Sequence, residues 1–479
     1  MNERTSGASA RSRQARLRRA ASARPVGVVA LCTFLIGVSS PARAWQGCEA
    51  PSAADAPQQF QLSNGLKVVL APDPALPLVS VEMRYLVGSA DEAPGKTGLA
   101  HFFEHLMLQG TKHYDDELVV PFQRVGGRAN AATEYHATRY FETLPSQYLG
   151  LALWIESDRM TGLLDVLTQQ RLDNQREVVL NERRSNFEDR PYARNDEYLA
   201  QALYPELHPY HHVVIGEEAD IRRFGESDVS EFYRKHYQPS AALLVITGDF
   251  QPVQVRSDVE RHFAAIPDAA RPGSLPVAGG ITEELSVPCR GPLVKLVRED
   301  KVPLPKVTLA WHAPRWLGAD DAALSVWSRL LGGGRNNRLH QRLVVEQGVA
   351  SEISVRSSGR RLVGELVVSA VAASGVGAEQ LASALAAALE KESARAPSTV
   401  EVQSAKRMHM KWIRERQENL ASRATQLGDY AVYAGSPDFI EKDLQRFSEL
   451  SPALVHAAAL RWMTATPCAR VDLVPAQEK

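Results

Sequence analysis

Hydrophobic residues in this chain follow two periods, and the succession of those periods occurs twice. From Phe60 to Leu70 they mark two short strands joined at Asn64-Gly65, a dipeptide suited to a tight hairpin turn. Alternation resumes from Pro77 to Val87 and predicts a further strand. The region closes between Phe232 and Phe250 with a helix end, Tyr237-Gln238-Pro239, and the apolar strand Ala242 to Thr247. Pro267, Pro272, Pro276, Gly279-Gly280 and Pro288 then break any regular element. After them the order returns. Leu293 to Val297 and Lys306 to Trp311 read as strands, and a helix starts within Asp320 to Leu331. Ala459 to Pro475 repeats the closing pattern of helix end, Thr-Pro and strand, here Ala469 to Val474. The expectation is an α+β protein of two homologous halves, each a mostly antiparallel sheet packed with helices. The expected boundaries are residues 45–270 and 293–479, with a linker at 271–292.

The N-terminus changes how the rest is counted. Residues 1–44 hold eight arginines and one glutamate, an apolar stretch from Val26 to Val38, and Ala42-Arg43-Ala44. That combination reads as a signal peptide cleaved before Trp45, which places the mature chain in the periplasm or outside the cell. Taking those residues from the totals of 55 basic and 56 acidic leaves 47 and 55, a formal charge of about −8. No basic stripe remains, so no nucleic-acid partner is expected. No later apolar run reaches the ~20 residues of a membrane span, so no stable span is expected after cleavage. Cys48, Cys289 and Cys468 allow one disulfide and one leftover thiol, and the sequence does not choose the pair.

The sharpest chemical feature is His101-Phe102-Phe103-Glu104-His105. Thr97 is the expected helix N-cap and Gly110 the stop, with Leu99, Phe102, Phe103, Leu106 and Met107 burying the segment. Four residues apart on a helix, His101 and His105 share a face and suit one zinc ion. Glu104 points to the same side and can act as general base toward water. Polar groups set among aromatic residues cost free energy unless they are partnered, which favours the metal reading over an ordinary polar patch. A third ligand is expected at Glu182, because Leu172, Gln175, Val179 and Glu182 form one helical stripe. Glu177 falls off that stripe. The competing expectation pairs Glu182 with Arg183 or Arg184.

These residues resemble the pitrilysin/insulinase family, the inverzincin peptidases. His101, Glu104 and His105 match its inverted motif, and Glu182 matches its downstream glutamate, 77 positions after His105. Gly126-Gly127 with Asn130, Ala131 and Thr133 is similar to a family strand that pairs with substrate backbone, which implies substrate binding at those three residues. His208-Pro209-Tyr210, Gly216 and Tyr237-Gln238-Pro239 fit the same half, and Gly332 to Leu343 resembles the glycine-rich turn and helix of the second. The resemblance implies one Zn2+ per chain, an inactive second half and a chamber that takes peptides or unfolded segments. A silent scaffold or assembly subunit is the alternative, although relatives of that kind usually lose metal ligands that this chain keeps. A zinc-storage protein would need neither Glu104 nor the substrate strand.

The departures from the pattern bear on partners. Gln175 stands where many members have a second glutamate, and His136 replaces a usual acid. Val344 and Ser351 occupy the places of an arginine and a tyrosine that grip the substrate carbonyl. The resemblance therefore implies a heterodimer in which a homologous partner subunit supplies Arg and Tyr. A homodimer is the other possibility, with Arg335, Arg338 or Arg342 standing in.

Overall fold

The computed structural model describes residues 56–268, 288–289 and 291–476. The targeting segment, its cleavage point and Cys48 lie outside them. Six strands form the first sheet: β1 (Gln58–Gln61), β2 (Lys67–Pro72), β3 (Leu78–Tyr85), β4 (Arg128–Thr133), β5 (Thr138–Pro145) and β6 (Ala242–Gly248). Their order is β1-β2-β6-β3-β5-β4. The second sheet contains β7 (Val294–Asp300), β8 (Lys306–Ala313), β9 (Ala350–Ser358), β10 (Gly364–Ala372) and β11 (Ala469–Pro475), in the order β7-β11-β8-β10-β9. Apart from β1, the two orders correspond strand for strand. In each sheet one pair is parallel, β2 with β6 and β7 with β11, and the other pairs are antiparallel. The repeat read from the sequence is thus a repeat of topology, and the α+β, mostly antiparallel expectation holds.

Strands such as Ala242-Leu-Leu-Val-Ile are apolar at every position because both faces are covered. On one face of the first sheet, Val68, Leu70, Leu244 and Ile246 pack with the helices Leu149–Gly162 and Pro252–Phe263 of the same half. The opposite face, Val69, Ala71, Leu243 and Val245, packs on Ala424 and Leu427. Those two residues belong to the helix Leu420–Tyr433, which comes from the second half. The exchange is mutual. Ala310, Val367, Val471 and Leu473 of the second sheet pack on Tyr198, Leu199 and Ala202 of the first half's helix Asn195–Leu203.

A polar network lies within the first of these contacts. Glu82 and Arg84 are buried side by side on β3. Arg84 reaches Glu82 Oε1 at 2.8 Å and Asp429 Oδ1 at 2.8 Å, and donates to the Thr425 carbonyl at 3.1 Å. Thr425 Oγ1 donates to Glu82 Oε2 at 2.6 Å. Gly428 lies over the guanidinium, where an added Cβ would come within 3.0 Å of Arg84 Cζ. In the second contact, Thr308 Oγ1 donates to Asn195 Oδ1 at 2.8 Å. A Cys289–Cys468 disulfide settles the cysteine pairing among the described residues and ties the linker's end to the approach of β11.

Removing one partner of a buried ion pair leaves a desolvated charge. Arg84→Ala is therefore expected to destabilise the protein by about 3–5 kcal/mol. Arg222→Ala, which removes an exposed pair with Glu218, should cost about 0.5 kcal/mol or less. Urea unfolding of both variants checks the contrast.

Candidate metal centre

The helix carrying the motif spans Leu99–Leu106, and its start differs from the sequence expectation. The N-cap is Gly98, in a left-handed conformation with φ +89°, and Thr97 is not the cap. Thr97 instead fastens the helix to the start of the short helix Glu218–Ile221. Its amide and hydroxyl donate to Asp220 Oδ2 at 3.0 and 2.8 Å, and its hydroxyl accepts from the Glu217 amide at 2.9 Å. The free amides of the first turn go to a carboxylate: Gly98 N and Ala100 N donate to Glu92 at 2.9 and 2.7 Å. Burial pushes the Glu92 carboxyl well above the ordinary carboxylate range against the pull of these two amides, while this end of a helix favours its charged form. Gly216, φ +77°, is packed so tightly here that a Cβ would stand 2.3 Å from the Thr97 carbonyl oxygen. The helix ends at Leu106, before Gly110.

Phe102, Phe103 and Leu106 anchor one side of this helix in the core and leave His101 and His105 on the other. Glu182 meets them from the last turn of the helix Gln169–Arg183. Its Oε2 lies 3.2 Å from His105 Nε2 and 3.8 Å from His101 Nε2, and a ligand atom from each residue lies within 4.8 Å of the others. Leu172, Gln175 and Val179 are buried as the stripe predicted, whereas Glu182 stands half-open where that helix emerges at the cluster. Glu177 is exposed. Arg183 does not pair with Glu182 but is bound to Glu197, and Arg184 donates to Asn181.

Two imidazoles, one carboxylate and a side open to solvent are the donor set of a three-ligand zinc site. Burial, and then the neighbouring His105, hold the His101 imidazole down to about 4, so it is neutral near pH 7, the form that ligates. The hydrogen bond from His105 keeps Glu182 below the ordinary carboxylate range. Burial moves Glu104 the other way, upward. The residues present fit a zinc ion.

The strand similar to the family's substrate strand is β4, and the strand order places it at the sheet edge, paired only with β5. Asn130 is exposed on it and accepts from the Ala131 amide at 2.9 Å, while Ala131 is buried. Thr133 has a contact the sequence did not reveal: its hydroxyl donates to Glu104 Oε2 at 2.6 Å. His136 bonds the Tyr210 hydroxyl at 2.6 Å. In the second half, Val344 packs against the core and Ser351 Oγ donates to the Ala372 carbonyl at 3.0 Å. Of the arginines considered as stand-ins, Arg338 is paired with Glu401 and Arg342 with Glu392, at 2.9 Å each. Arg335 is exposed. No helix among the described residues is long and apolar enough to cross a membrane.

Two family models match in succession: Insulinase (Peptidase family M16) over residues 67–211 and Peptidase M16 inactive domain over residues 224–408. A zinc protease, PqqE, from Helicobacter pylori is 31% identical over 301 residues, which is 62% of this chain and 65% of that protein. The chain thus spans just under two thirds of that relative's length. Among solved structures, a protease from Helicobacter pylori superposes with a TM-score of 0.80 at 26% identity, covering 88% of this chain and all of that one. A peptidase M16 inactive domain from Pseudomonas fluorescens reaches 0.77 at 17% identity, covering 88% of this chain and 99% of that one, and shares the fold.

A test of the third ligand follows from the geometry. Glu182→Gln is expected to weaken zinc binding by more than ~10²-fold, beyond the range typical of groups outside the coordination sphere. Glu177→Gln should leave it unchanged. Metal analysis after dialysis against a graded chelator series measures both.

Proposed function

Because the chain belongs to the insulinase (M16) peptidase family, we propose that it is a zinc-dependent endopeptidase acting on peptides or unfolded segments. One observation carries this reading: His101, His105 and Glu182 converge beside Glu104, which touches an open sheet edge through Thr133. The relatives named zinc proteases support it. In this reading His101, His105 and Glu182 hold one Zn2+. Such an ion, when bound, lowers the pKa of water and polarises a carbonyl.

The chain's own groups do the rest. Glu104 takes a proton from the attacking water and returns it to the leaving amine. Its burial raises its basicity toward what that task needs. The Thr133 hydroxyl fixes one carboxylate oxygen and so aims the other. The free edge of β4 aligns the peptide through backbone hydrogen bonds, with Asn130 and Ala131 at the contact, which gives loose sequence preference. We further propose cleavage before Trp45 and residence in the periplasm or outside the cell.

At the two places where the resemblance puts the gripping arginine and tyrosine, Val344 is apolar and Ser351 is bonded to backbone, so neither offers the oxyanion a donor. We therefore propose a heterodimer in which a homologous chain brings the arginine and tyrosine. Arg335 is the remaining candidate for a homodimer, because Arg338 and Arg342 are engaged. The scaffold reading predicts zinc-independent behaviour and no hydrolysis with any partner.

Glu104→Gln should retain zinc and lose at least ~10²-fold in hydrolysis of a quenched peptide library. Wild-type turnover by that variant would remove Glu104 as the base. The zinc-loaded chain alone should run ~10²–10³-fold below the assembled enzyme, the usual effect of a missing oxyanion donor. Steady-state rates with and without the homologous chain measure it, and full turnover alone would exclude the split site.

A further inference from the structure

The turn between β4 and β5 meets the turn between β9 and β10, its counterpart in the second half. Arg360 lies 4.6 Å from the Tyr135 ring, and the Leu362 amide donates to the Tyr210 hydroxyl at 3.2 Å. A cavity of about 560 Å³ opens beside this seam. It borders the proposed catalytic cluster at one residue, Thr133, the partner of Glu104. Much of its remaining wall is aromatic, with Trp316, Trp412, Tyr430 and Tyr433. That is the size of a ligand site, and its wall mixes aromatic surface with polar groups that are mostly held by partners of their own.

The charges on the wall are matched, with one exception. Asp321 and Asp443 share Arg446, at 2.9 and 2.8 Å. Asp429 is bound by Arg84 and Arg416, and Glu134 by Arg139. Arg360 is bound to Glu365 at 2.9 Å. Burial keeps His136 and His409 neutral near pH 7, at about 3 and about 4. Arg361 is left, with no carboxylate within ion-pair distance among the described residues. It sits close enough to His136 and Tyr433 to act on both electrostatically. Exposed arginines without partners are common on protein surfaces, where water solvates them. Arg361 is exposed too, but it lines a concave, partly aromatic cavity that adjoins the hydrolytic cluster, where a bound peptide would displace water from around the charge and strengthen its pull on an anion.

We propose that the cavity is a specificity site that accepts a carboxylate of the bound peptide on Arg361, while the aromatic wall takes the adjoining apolar groups. The proposal rests on the peptidase reading for its biological meaning, since a peptide running along β4 beyond Thr133 enters this cavity. An acidic side chain and a free C-terminus present the same carboxylate chemistry.

The test separates those sources and also separates this proposal from the peptidase reading. Four peptides of one length are titrated into the zinc-loaded Glu104→Gln chain, followed by tryptophan emission: acidic with an amidated end, neutral with a free end, neutral and amidated, and basic and amidated. At least one carboxylate-bearing peptide should bind about tenfold or more tightly than the neutral amidated one, with the gap closing as salt rises. Whichever carboxylate peptide wins names the source. Arg361→Gln should abolish the gap and Arg361→Glu should invert it in favour of the basic peptide, at unchanged zinc content and thermal midpoint. An unchanged ranking in both variants overturns the proposal, as does a wild-type ranking indifferent to carboxylate. Hydrolysis of the same peptides by the unsubstituted chain assembled with the homologous chain is scored separately. Its absence would count against the peptidase reading and leave the binding result standing.

Discussion

A strand that is apolar on both sides must be covered twice, and in this chain the second cover always comes from the other half. Ala424 and Leu427 close the first sheet, and Tyr198, Leu199 and Ala202 close the second. Backbone hydrogen bonds alone do not hold a sheet whose free face is Val, Leu and Ala, because exposing that face to water costs roughly 25 cal/mol per Å² of apolar surface. The mutual exchange of helices therefore fixes the relation of the two sheets. Everything that uses both halves inherits that fixed relation, including the seam between the two hairpin turns and the cavity beside it.

The polar groups follow a different logic from the apolar ones. Glu82 and Arg84 are buried on β3, with the partly buried Asp429 above them, where sheet and helix could have met as plain hydrocarbon. Buried ion pairs of this kind add little net stability against an apolar replacement. What they do is penalise every alternative arrangement, since a shift of the helix Leu420–Tyr433 along β3 would leave charges unpaired in the interior. The same reasoning applies at the metal helix. Thr97, Asp220, Glu92 and the Gly98–Gly216 contact hold its first turn from three directions. The imidazoles are thus positioned by the scaffold before any ion arrives, and such preorganisation makes a site precise.

Local features were legible in the sequence and long-range ones were not. The motif at 101–105 announces a helix with two imidazoles on one face because that relation is set within one turn. Glu182 could be chosen over Glu177 because the stripe Leu172, Gln175, Val179 is also local. The β4 edge came from resemblance, since no periodicity in Arg128–Thr133 states which side of a strand is unpaired. The Thr133–Glu104 hydrogen bond joins residues 29 apart, and nothing near Thr133 signals it. Thr97 looked like a helix cap because threonine favours that position, but its hydroxyl had stronger claimants in Asp220 and Glu217. The doubly apolar strands did signal burial on both faces. They could not say that the covering helix lies about 180 residues further on, at Leu420–Tyr433 for β6.

That separation has a consequence for how the protein comes into being. A chain is made from its N-terminus, and β2, β3, β5 and β6 are complete long before the segment Leu420–Tyr433 exists. Until it does, Val69, Ala71, Leu243 and Val245 present a naked apolar surface, and Arg84 has no Asp429 to meet. The first half therefore cannot finish folding as an independent module during synthesis. It waits for nearly the whole polypeptide, in a state whose exposed surface invites aggregation. Delayed closure of this sort slows folding because distant contacts must form before the loop between them is repaid. It also keeps the early chain loose, so that the two sheets lock together only as the last quarter of the polypeptide arrives.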